Sequence, residues 1–226
     1  MIKFLVVFVA VAAGIFVSTN PMLFGYSAGP LLGNYTIYKD DAILNDELAR
    51  IAGDVGDELD SYRNHCLRVL TFSKFFIPDF VFDDIPDAMD IVSMSLAYHD
   101  CALWTDKKLS YILPSMHQMV AHTKDRWTAE QVNIASQIIE QHHKITPYHG
   151  GENKTVDALV NAVRKADWAD ATMGILRSGM PASLLGAAYK EIPEAGFHEL
   201  LAGLGDRLEP DSLYRRLIGQ VKILRL

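Results

Sequence analysis

From about Asp40 onward the chain repeats its apolar residues at intervals of three and four, a pattern that permits little besides α-helices. Leu44, Leu48 and Ile51 share one face of a first helix, with Asp40 or Asn45 able to cap it. A second helix is predicted over Leu59–Phe76, carrying Leu67 and Leu70 and halted ahead of Pro78. Asp87 is placed to cap a third, which runs through Ile91, Met94 and Leu96 to Cys101. Further helices are predicted over about 107–123, 128–143, 155–173, 182–191, 195–205 and 210–225. Thr128 and Gln131 have the spacing of a capping box, Gly174 suits a helix stop, and Pro210 suits a start. Strand signals are confined to short runs such as Phe80-Val81-Phe82. The expectation is one all-α domain over residues 39–226.

The first 38 residues break from this pattern. No residue between Lys3 and Lys39 is charged, and Phe4 to Val17 is wholly apolar. That run is shorter than the roughly 20 residues of a full span, although it extends imperfectly through Pro21 to Phe24. A cleavable signal needs small residues before the cut. Ala10-Val11-Ala12 lies inside the apolar run, and Tyr26 puts a bulky group before Ser27-Ala28. The expectation is an uncleaved anchor that attaches the protein to a membrane; a cleaved signal would export it instead. Lys3 on one side and Lys39 on the other leave the orientation open.

Charge excludes one class of partner. With 21 Lys and Arg against 28 Asp and Glu, the net charge is −7, which gives no excess for gripping a nucleic-acid backbone. A small-molecule substrate is expected instead. The two cysteines, Cys66 and Cys101, are too few for a disulfide scaffold or a thiolate cluster. They read as small buried hydrophobes, although an oxidising compartment would allow them to pair.

The chemistry-bearing residues fall in an order. His65 sits in YRNHCLRV, His99-Asp100 in YHDCALWTD, His142-His143 in EQHHK, and Asp167 with Asp170 in RKADWAD, each on a separate predicted helix. Ionisable groups among apolar flanks need partners, because desolvating one alone costs several kcal/mol. A divalent cation is such a partner, and imidazoles mixed with carboxylates suit Zn, Mn, Fe, Co or Ni. Taken singly, each group also fits an ordinary role, as a bonded core histidine, a helix-end dipole partner or a solvated aspartate.

The order His…His-Asp…Asp resembles the signature of the HD superfamily of metal-dependent phosphohydrolases, over about residues 45–175. The four segments are similar to an uncharacterised branch of that superfamily. The resemblance implies an HD-type helical bundle in which His65, His99, Asp100 and Asp167 hold one metal ion, Mg included among the choices. His142 and His143 fall where family members place ligands of a second ion, with Asp100 then bridging the two. His117 and His122 read as surface residues. For a phosphate substrate, Arg68, Lys144 and Arg164 are the nearest cations, with Lys107 and Lys108 within reach of the mouth. Two departures stand out. Cys101-Ala102-Leu103-Trp104 replaces the Gly-Lys that many family members carry after His-Asp, and the Gly-Tyr-Pro extension of cyclic-dinucleotide phosphodiesterases is missing. A hydratase or lyase, a di-iron oxygenase, or a non-catalytic tethered module are the alternatives.

Overall fold

The computed structural model describes residues 35–150 and 153–208, and these form helices and turns without a strand. The segment 1–34 of the expected anchor and the helix expected at 210–225 lie outside the described residues. Among the described residues, no helix is long and apolar enough to cross a membrane.

The elements are α1 (Ala42–Leu48), α2 (Ala52–Val55), a 3₁₀ turn (Gly56–Glu58), α3 (Leu59–Phe76), α4 (Asp79–Asp84), α5 (Ala88–Tyr98), α6 (Ala102–Thr105), α7 (Ile112–Thr123), α8 (Ala129–Gln141), α9 (Lys154–Ala171), α10 (Ala182–Glu191) and α11 (Phe197–Leu208). The α3 helix has the bounds its periodicity predicts. Thr128 and Gln131 form both halves of the capping box that opens α8. Past the end of α9, Met173 and Gly174 adopt φ of 49° and 81°, so the chain leaves the helix where the glycine allows it.

Several local expectations are corrected. Asp41, rather than Asp40 or Asn45, caps α1 by accepting from the Leu44 N–H at 2.8 Å. Asp40 and Asn45 instead bind each other and Arg63 of α3. Asp87 makes no cap bond to α5; its carboxylate accepts from Gln131 of α8. The β-rich run at 80–82 is helical, in α4, because one apolar residue, Val81, is buried while Phe80 faces outward. The α7 helix starts at Ile112 rather than 107, since Lys107 takes a left-handed φ of 53°.

The α3 helix is buried on nearly all sides, as befits the central element. It runs antiparallel to α9, with His65 meeting Asp170 and Phe76 meeting Lys165. The α5 helix packs against α1, α3 and α8, and α8 packs against α7 and α9. Leu67, Leu70, Ile91, Leu96, Ile139 and Val163 fill the space between them with almost no exposure. Each such side chain contributes about 1.5–3 kcal/mol of transfer free energy. Away from the centre, the buried carboxylate of Glu47 is fully satisfied. Glu47 accepts two bonds from Arg126, at 2.6 and 2.7 Å, and one from the Tyr98 hydroxyl at 2.8 Å, tying α1 to α5 and to the turn after α7.

Candidate metal centre

Four helices deliver their histidines and aspartates to one point in this core. His65 projects from the middle of α3. The α5 helix stops at Tyr98, so His99 and Asp100 lie in the turn before α6. The α8 helix stops at Gln141, so His142 and His143 lie in the turn that follows. Asp167 projects from α9, one turn before Asp170.

The break after Tyr98 is held by Tyr62, three residues before His65 and therefore on the same side of α3. Its hydroxyl is within hydrogen-bond reach of the Leu96 and Ala97 carbonyls, at 3.1 and 3.2 Å, and accepts from the Asp100 N–H at 3.2 Å. The turn after α8 is held from α9. Arg164 donates to the carbonyls of Lys144 and Ile145, and the Trp168 indole donates to that of Lys144.

Three histidines are oriented alike. His65 Nδ1 donates to Asp170 at 2.7 Å, His99 Nδ1 to the Leu96 carbonyl at 2.7 Å, and His142 Nδ1 to the Ile139 carbonyl at 2.6 Å. Carbonyls and ionised carboxylates only accept, so each ring carries a proton on Nδ1 and turns Nε2 inward. His65 Nε2 stands 3.1 Å from His99 Nε2 and 3.3 Å from Asp167 Oδ1. His99 Nε2 is 3.3 Å from Asp100 Oδ2 and 3.8 Å from Asp167 Oδ1. On the other side, His142 Nε2 lies 3.2 Å from Asp100 Oδ1. His143 has Nε2 3.7 Å from that oxygen and Nδ1 3.6 Å from Asp167 Oδ2.

These groups meet the test for metal ligands. Imidazole nitrogens and carboxylate oxygens about 2.0–2.2 Å from one ion stand roughly 3.0–3.5 Å apart from each other, close to the separations here. Two overlapping groups arise, His65-His99-Asp100 and Asp100-His142-His143. Unlike Glu47, Asp167 is buried with neither oxygen accepting a well-formed hydrogen bond. A satisfied structural carboxylate would not be left so, whereas a cation supplies what these oxygens lack.

Protonation follows the same logic. Burial pulls His65 down, but Asp167 and Asp170 outweigh it and push the ring up to about 9. Burial, with His142 and His65 adding to it, takes His99 down to about 4. Burial also opposes charge on Asp100, yet the imidazoles of His99, His142 and His143 hold it well below the usual carboxylate range. A positive species is what these acceptors require.

Access is from one side. The side chain of His143 is 17% exposed, while those of His65, His99, Asp100, His142 and Asp167 are at most 3%. Tyr111, at the head of α7, is buried edge-on to His143, with ring centroids 5.9 Å apart. Burial, then Asp100 and Asp167, raises its phenol well above the usual range.

The expected cations are distributed differently. Lys144 is half-buried beside His143. Arg68 does not face the mouth. It is fully buried behind His65, donating to both Asp170 oxygens and to the Pro193 carbonyl. Three residues along α3 keep Arg68 beside His65, and the buried Asp170 charge that His65 meets claims the guanidinium as well. Arg164 is likewise engaged, with the turn after α8. Cys66 and Cys101 are free buried thiols with separate partners, the Leu96 carbonyl and Gln118. Sequence reading groups Asp170 with Asp167 among the chemistry-bearing residues but leaves it outside the ligand set, and it passes over Tyr62 and Tyr111. Only the i, i+3 spacing of Asp170 from Asp167 hinted at a shared face.

Comparison with family models, with curated proteins and with solved structures finds no match to this chain.

Proposed function

We propose that this chain is an HD-type, metal-dependent phosphohydrolase with a two-ion centre, acting on a small phosphorylated substrate such as a nucleotide. One observation carries the reading. Asp100 presents Oδ2 to His99 and Oδ1 to His142 and His143, while Asp167 presents Oδ1 to His65 and His99 and Oδ2 to His143. Buried carboxylates divided in this way between two imidazole pairs suit bridges between two cations.

His65, His99, Asp100 and Asp167 would hold one ion, and His142, His143 and the far oxygens of the two aspartates the other. Bound there, divalent ions lower the pKa of water and neutralise charge developing on a phosphoryl group. The chain's own residues supply the rest. The Nδ1 bonds of His65, His99 and His142 hold their Nε2 lone pairs inward. Tyr111 places a phenol edge-on to His143, where it donates to a substrate oxygen. Lys144 stands at the open side for an anionic group. The apolar shell excludes bulk water and strengthens each of these interactions. In this reading residues 39–226 are the catalytic domain and residues 1–38 tether it to a membrane.

A second reading keeps the centre and changes the reaction to hydration, lyase chemistry or di-iron oxidation. It is favoured by the arginines, since Arg68 and Arg164 are both engaged elsewhere and neither is free to grip a phosphate. Metal analysis of the purified protein, followed by a panel of phosphomonoesters, phosphodiesters and nucleotides with Mn, Fe, Co, Ni, Zn and Mg, separates the two. Turnover of a phosphoester dependent on the ion supports the first. A metal-loaded protein inert toward the whole panel overturns it in favour of the second.

A further inference from the structure

The half of the centre built on His65 is backed by side chains that the proposed reaction does not use. Asp170 Oδ2 lies 2.7 Å from His65 Nδ1, and the Asp170 carboxylate is itself gripped by Arg68, Nε to Oδ1 at 2.6 Å and Nη2 to Oδ2 at 2.9 Å. Arg68 is fixed in turn by the Pro193 carbonyl at 2.9 Å and lies over the Tyr189 ring, 4.7 Å from its centroid. The Asp170 carbonyl accepts from His198 Nε2 at 2.9 Å and from the Tyr189 hydroxyl at 3.2 Å. On the remaining side the Phe197 ring stacks on the His65 imidazole, with centroids 4.0 Å apart and planes within 12°.

Among the described residues the other half has no carboxylate behind its imidazoles, and Tyr111 and Trp168 meet His143 edge-on rather than stacked. His142 leans on a backbone carbonyl, and His143 is the partly exposed member of the set. The support for His65 also comes from a stretch, 189–198, that lies beyond the part of the chain carrying the HD-type order of residues. An imidazole ligand needs its tautomer and its ring plane fixed. A carboxylate on the far nitrogen does the first, and a ring stacked on its face does the second.

We propose that Asp170, held by Arg68, is the positioning residue for His65 as a metal ligand, and that Phe197 and the 189–198 stretch complete the support, so that a segment outside the ligand set determines affinity in this half of the centre. The inference rests on the metal reading above.

The test is a titration of metal-stripped full-length chain with Co(II), followed by visible absorption, for wild type, Asp170→Asn, Phe197→Leu and His143→Ala. Asp170→Asn is expected to weaken Co(II) binding in the His65 half by about 10–100-fold and to alter its absorption bands. Phe197→Leu, which removes no charge, should shift the bands and weaken binding by a smaller factor. His143→Ala should leave the His65-half signal in place. Asp170→Asn strands the Arg68 charge. If that variant does not fold, the Asp170→Asn/Arg68→Met pair and Phe197→Leu decide. A merely structural role would lower thermal stability and leave the affinity and spectrum of the folded protein unchanged, and that result overturns the inference. Failure of the wild type to take up Co(II) overturns the metal reading and this inference with it, so the two failures are distinguishable.

Discussion

His142 Nε2 meets Asp100 Oδ1 at 3.2 Å, although the two residues belong to turns at the ends of different helices. Neither turn is regular structure. Each is held from another helix, the first by Tyr62 and the second by Arg164 and Trp168. His99, Asp100, His142 and His143 are thus supplied at helix breaks, where backbone carbonyls are free to orient the rings of His99 and His142.

Removing a shared ligand tests the centre as a whole. Asp100→Ala and His99→Ala should each lose most bound metal, measured by elemental analysis of the purified protein. Wild type at a metal concentration 100 times its dissociation constant should gain about 2.7 kcal/mol against unfolding. Neither variant should gain a comparable amount. Under the phosphohydrolase reading, Asp100→Ala also lowers turnover by several orders of magnitude.

His142→Ala addresses stoichiometry. With His143 left as the only imidazole on that side, bound metal should fall from about two ions per chain to one. Equilibrium dialysis with Zn or Mn reads this directly, and an unchanged count rules out His142 as a ligand.

Arg68 and Lys144 should behave in opposite ways. Arg68→Met leaves Asp170 charged and buried without its main partner, a loss of about 3–5 kcal/mol in denaturant unfolding. Lys144→Ala touches no buried network and should unfold like wild type, while raising KM for an anionic substrate.

Tyr111→Phe deletes one hydroxyl and keeps the ring against His143. If the phenol donates to a substrate oxygen, kcat should fall by about 10²–10³ with metal content unchanged, measured by steady-state kinetics beside metal analysis.

Glu194 gives a pH signature at a carboxylate that bonds His198 and Gly196 rather than any ligand. Burial opposes its charge, but bonds from the His198 ring, the His198 N–H and the Gly196 N–H outweigh this and lower its carboxyl to about 2 from 4.5. A lowered carboxyl stabilises the fold above its ordinary value, and that contribution is lost as pH falls from 4.5 through about 2. Glu194→Gln should therefore cost about 1 kcal/mol at pH 7, a figure kept small by partial exposure. The gap from wild type should narrow below pH 4.5, as read by urea unfolding at pH 7 and pH 3.5.

Much of this was legible in the amino-acid order alone. The three- and four-residue spacing of apolar side chains set an all-helical chain, and local chemistry marked α3, the Thr128 capping box and the stop at Gly174, because propensity and capping act within one or two turns. The sequence also named the residues that converge, since ionisable groups on apolar helix faces have few places to go. Tertiary structure decided what each one faces. Arg68 reads as a cation for phosphate until Asp170, 102 residues away, is seen to bind it, and Phe197 is an ordinary apolar residue until it lies on His65. The end of α5 at Tyr98 depends likewise on a hydroxyl from α3. A buried charge or a broken helix is satisfied by whatever the fold brings to it, and that partner is set by packing between distant segments rather than by any neighbour in the chain.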